Sequence, residues 1–185
     1  MRHRVRIHAL ALLLAAIAVS LAPAVALAAS REELEREAAA ALKNLYAGNT
    51  AAQLLGPKAK AILVFPNIVK AGLMFGGQMG DGVLTKNGAV AGYYNSFAGS
   101  YGLQAGVQVF GYALFFMNDS ALSYLDKSDG WEVGVGPSIV VVDEGVGKSL
   151  SSTTITQDVY AFIFDEKGLM AGIGIQGSKI TKIAM

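Results

Sequence analysis

Hydrophobic positions recur at helical spacing early in the chain and alternate thereafter. Leu34, Ala38, Ala41, Leu42 and Leu45 fall three and four residues apart. That predicts an amphipathic helix of about four turns docked on a core. Ser30 and Glu33 open it as a capping box, and Gly48 closes it. Thr50–Leu55 reads as a second, short helix, capped by Thr50 and stopped at Gly56-Pro57. Ala61–Phe65 is apolar at every position, as in a strand covered on both faces, and Pro66 is its expected stop. A glycine-rich strand pattern runs from Gly72 to Thr85, and Lys86-Asn87-Gly88 signals a tight hairpin. Ala89–Ser96 returns, with Tyr93 and Tyr94 on opposite faces. The longest alternation is Leu103–Met117. Its odd positions are wholly apolar, whereas its even positions begin polar at Gln104 and Gln108 and turn apolar from Phe110. A strand of that length is expected to bend or bulge.

Asn118 is placed to cap a short helix over Ser120–Leu125. Trp131–Val142 reads as a strand broken near Gly136-Pro137, and Thr153–Phe164 alternates again. Asp165–Gly168 is expected to turn a hairpin, with Leu169–Ile175 pairing back. The pattern as a whole predicts an α+β fold. A strongly curved, glycine-rich antiparallel sheet, as a sandwich or partial barrel, is covered by the N-terminal helices and one inserted short helix.

Composition narrows the chemistry. Arg2, Arg4 and Arg6, the apolar run Ala9–Leu21 and Ala26-Leu27-Ala28 read as a signal peptide cleaved near Ala28. Residues 29–185 are then a single domain of an exported protein, periplasmic or secreted. Removing those three arginines from 15 basic residues leaves 12 against 14 acidic ones, a net of −2. Such a balance lacks the basic footprint of a nucleic-acid binder. Both histidines, His3 and His8, fall in the expected signal, and the chain has no cysteine. Ser–His and Cys–His nucleophiles, His- or Cys-based zinc sites and disulfides are therefore excluded from the mature chain. Gly76, Gly77, Gly80 and Gly82 do not open a helix or precede a phosphate-binding lysine, so no cofactor is expected.

Three blocks carry a resemblance: AKAILVFPNIVKAGLMFGGQMGDGVL, GYYNSFAGSYGLQAGVQVFGYALFFMNDSAL and YAFIFDEKGLMAGIGIQGSKI. Together they resemble the SYLF family, a lipid-binding module also known as an actin-binding domain in its yeast members. Lys70 falls in the resemblance's FPxxxKAG motif and Ser100 in its GSxGxQxG motif. By sequence alone, Lys70 interrupts an apolar run. It either snorkels to water or sits partly buried as an ammonium facing the polar end of the Leu103 strand. With Ser100, Gln104 and Gln108 it would then hold a lipid phosphate through charge-assisted hydrogen bonds. Lys58 and Lys60 flank the first strand and would add cations facing phosphate.

The expected function is non-catalytic binding of phospholipid at a membrane surface through anionic head groups. An exported protein would not meet actin. Two other classes fit parts of the pattern. One is a small outer-membrane β-barrel. The other is a lipid hydrolase in which Lys70 activates Ser100.

Overall fold

Two long, kinked strands stand where the pattern suggested four. The computed structural model describes residues 31–127, 131–132, 136–142, 155–168 and 178–185, and of these the side chains of 73–75, 100–105, 127 and 131 lie outside the description. The expected signal peptide, the Ser30 cap and the Leu169–Ile175 strand also lie outside the described residues. In chain order the elements are α1 (Arg31–Gly48), α2 (Thr50–Leu55), β1 (Ala61–Lys86), β2 (Ala89–Phe116), α3 (Asp119–Lys127), β3 (Trp131–Glu132), β4 (Ile139–Val141), β5 (Val159–Gly168) and β6 (Lys179–Ile183).

β1 does not stop at Pro66. The β1–β2 register slips between Phe65 and Ile68, so proline occupies an irregular step where no ladder N–H is required. A second slip, between Leu73 and Phe75, sets one residue of β1 against three of β2 and forms an elbow halfway along the hairpin. The far end closes as foreseen through Asn87 and Gly88, with φ of 52° and 78°, the backbone of a two-residue hairpin turn.

At the elbow the hairpin folds back on itself. A Cβ on Gly82 would lie 2.5 Å from the Phe65 ring, and one on Gly80 would lie 2.6 Å from the Asn67 carbonyl oxygen. Thr85 Oγ1 donates to the Ile62 carbonyl at 3.3 Å. These contacts run in antiparallel order, so the second half of β1 returns along its own first half. The close approach needs residues without side chains.

β2 is the hub of the sheet. Its second half pairs with β5 and its first half with β6, giving six described strands in the order β3-β6-β2-β5-β4, with β1 on the other edge of β2. All pairings are antiparallel except β4 with β5, which is parallel, so the curved sheet is a mixed half-barrel. β5 continues through the expected Asp165–Gly168 hairpin. Asp165 and Glu166 together face Phe110 in a bulge, with Asp165 at φ 52°.

Alternation divides the core into two layers. Inside the curl, Leu63, Phe65, Ile68, Tyr94, Tyr112 and Leu114 pack with Leu122 and Leu125 of α3. Outside it, Ile62, Val64, Val83, Phe115 and Phe162 pack against Leu34, Ala38 and Leu45 of α1 and Leu55 of α2. Ala61–Phe65 is thus covered on both faces, as its sequence required. Asn49, rather than Thr50, caps α2, accepting from Ala52 N at 3.0 Å. Asn118 caps α3 as expected, accepting from Ala121 N at 2.9 Å.

Asp158 pins this region together. Its carboxylate accepts from Ser138 N (2.9 Å), Asn118 Nδ2 (2.7 Å) and Ser138 Oγ (2.9 Å). The Ser138 backbone N–H first, then the Asn118 and Ser138 side chains, hold this carboxyl below its ordinary range.

Two predictions follow from these contacts. Gly82→Ala is expected to lower unfolding free energy by about 1–3 kcal/mol in urea titrations, as overpacking does. Because the folded-state pKa of Asp158 is lowered, its contribution is present above the unfolded value and lost as pH falls through the folded one. The Tm gap between wild type and Asp158→Ala should therefore be widest at neutral pH and shrink below about pH 4.

Candidate functional site

Around the elbow the usual polarity of a sheet is inverted. Lys70 and Gln108 point into the curl, each 4% exposed, while Val69 and Val107 on the outer face are 43% and 59% exposed. On the returning half, Met79 and Phe97 are cross-strand partners on the outer face, each 56% exposed, and Ser96 is buried inside. The helices explain where this begins. α1 and α2 cover the outer face at Ile62, Val64 and Phe115 but do not extend to Val69 and Val107. The apolar odd positions of β2 therefore run out from under the helices into the open.

The ladder sets Gln108 directly opposite Lys70, so both side chains leave the sheet on one face. Gln108 Oε1 and Tyr112 Oη, on the same face of β2, are buried with no hydrogen-bond partner among the described residues. Buried orphan acceptors of this kind are rare, and each represents unused hydrogen-bonding capacity. Burial holds the Tyr112 phenol above its ordinary pKa, while its ring stacks on Phe65 at 6.0 Å.

The ladder gives the backbone positions of the other expected site residues on β2. Ser100 is opposite Gly76, across the elbow from Lys70, and Gln104 falls in the irregular step without a ladder partner. The side chains of both are outside the described residues. Lys58 and Lys60 are exposed at the start of β1 and do not share the surroundings of Lys70. About 30 Å of extended strand separates Ala61 from Lys70.

The sequence reading missed the exposed quartet of Val69, Val107, Met79 and Phe97. It noted the apolar odd positions of Leu103–Met117 without saying what covers them. A count of covering elements would have found them, since a helix of 18 residues spans about 27 Å and β2 has 28 residues of strand.

Two tethers fix the elements around this site. Tyr93 donates to Glu35 of α1, and Arg31 lies 5.3 Å from the Tyr93 ring. On the inner side Tyr94 donates to Asp126 of α3 at 2.9 Å, and Lys182 of β6 reaches the same carboxylate at 3.6 Å. Both faces of the first half of β2 are thereby held to a helix.

Residues 97–184 match the family model described as Ysc84, Las17-binding protein actin regulator. The match bears out the SYLF resemblance over that part of the chain, from within β2 to the end of β6. The family is in general a non-catalytic binding module. No curated protein matches the chain.

The orphan phenol makes a prediction about stability. Tyr112→Phe removes a buried hydroxyl that has no partner among the described residues. It should leave the urea midpoint unchanged or raise stability by up to about 1 kcal/mol, whereas loss of a satisfied hydrogen bond would lower it.

Proposed function

With a Ysc84 (SYLF) domain over residues 97–184 as premise, we propose that this protein binds anionic phospholipid at a membrane surface, without catalysis. The elbow end of the half-barrel enters the interface. The observation that carries this reading is the inverted polarity, with Lys70 and Gln108 inside and Val69, Val107, Met79 and Phe97 outside. Four half-exposed apolar side chains on both outer faces of one elbow suit an acyl boundary, at about 1 kcal/mol each. The Lys70 ammonium supplies charge for a phosphate, worth ~1 kcal/mol near an anionic surface. Gln108 Oε1 supplies an acceptor for a head-group hydroxyl or ammonium. The head group approaches from the elbow, where the ladder is interrupted between Leu73 and Phe75.

The module lies on the membrane rather than spanning it. α1 and α2 cover much of the outer face. Export to the periplasm or beyond rests on reading residues 1–28 as a signal peptide. It makes lipid, not actin, the partner of this member.

Co-sedimentation with phosphatidylcholine vesicles, with and without phosphatidylglycerol, tests the proposal. Binding is expected only with the anionic lipid. Lys70→Met should weaken it about fivefold, the equivalent of ~1 kcal/mol. Val107→Ser with Phe97→Ser should weaken it further without lowering Tm. Absence of binding to every vesicle composition would overturn the reading.

A further inference from the structure

At the opposite end of the hairpin from the elbow, α1 crosses the turn and leaves an open groove of about 470 Å³. Ala39, Leu42, Val64, Val83 and Val90 form its walls. Val64 and Val83 are core residues at its floor, whereas Val90 stays 44% exposed at its lip. The volume falls in the range of about 300–1,000 Å³ typical of small-molecule sites.

The rim carries one charge of each sign, spaced along α1. Glu35 and Lys43 are the charged residues that line the groove, with the Tyr46 phenol beyond Lys43 on the same helix. Glu35 already accepts the Tyr93 hydroxyl, with Arg31 against the same ring. Lys43 is exposed and makes no ion pair among the described residues. From Lys43 to Glu35 the helix runs about 12 Å, an elongated apolar path with a cation at one end and the Tyr93-bound Glu35 carboxylate at the other. A single ammonium without a second charged donor suits a monocarboxylate better than a doubly charged phosphate.

We infer that this groove binds a fatty acid, with its carboxylate on Lys43 and its alkyl chain along Leu42, Val64, Val83 and Val90. The site shares no residue with the elbow, so it stands whether or not the protein binds vesicles.

Titration of the purified protein with cis-parinaric acid, a fluorescent fatty acid, tests the inference. Saturable enhancement is expected, displaced by lauric acid at a concentration about tenfold below that of dodecanol, as one charge-assisted hydrogen bond implies. Lys43→Ala should erase the advantage of the acid. Ala39→Trp, at an exposed helix position, should block the groove while Tm is unchanged. Arg36→Ala, exposed on the same helix away from the groove, should bind as wild type does. The inference is overturned by non-saturable fluorescence, by equal competition from acid and alcohol, or by wild-type binding in both Lys43→Ala and Ala39→Trp.

Discussion

Everything in this molecule depends on one strand lying against itself. The second half of β1 returns over Phe65 and Ile68 only because Gly80 and Gly82 bring no side chains to the contact. The returning half carries β2 with it, and the two edges of the sheet follow. β6 joins β2 before its elbow and β5 after it. A single hairpin thereby sets the curvature, the inner layer that α3 fills and the outer layer that α1 and α2 cover.

That arrangement also explains why polar groups lie inside one end. Where helices cover the outer face, the apolar positions of both strands are consumed by two cores, and alternation disappears into uniform burial. Beyond the helices alternation persists, but its sense is unusual. The residues inside are Lys70, Gln108 and Ser96, and those outside are valine, methionine and phenylalanine. In water such an arrangement leaves apolar surface exposed and polar atoms under-used, as Gln108 Oε1 is. At a lipid interface both features become favourable. The same side chains therefore count against stability in one solvent and toward affinity in the other.

Much of the fold was legible in the chain. The periodicity of α1, the all-apolar Ala61–Phe65 segment, the Asn87-Gly88 turn and the Asn118 cap each have one local physical meaning. The strand count was not legible, because Pro66 and the glycines act as bends that leave the ladder intact, and from sequence a bend and a break look alike. The parallel pairing of β4 with β5 depends on Asp158 holding Ser138, a contact twenty residues apart that no periodicity encodes. Of the candidate site, the pairing of Lys70 with the polar face of the Leu103 strand could be read, and register narrows it to Gln108. The exposed apolar quartet could not be read, because exposure depends on where α1 ends relative to the sheet.

The dependence of three strands on β2 has a bearing on how the chain is made. β1 and β2 can zip outward from Asn87-Gly88 as soon as both have left the ribosome, since each new pair adds little to the loop being closed. The opposite edge of β2 then waits for β5 and β6, which are synthesised much later. During that interval a long row of unpaired backbone groups, flanked by phenylalanine and valine, is open to any neighbouring chain. Nascent copies of this protein are therefore most vulnerable to one another between the emergence of Phe116 and the arrival of Ile183.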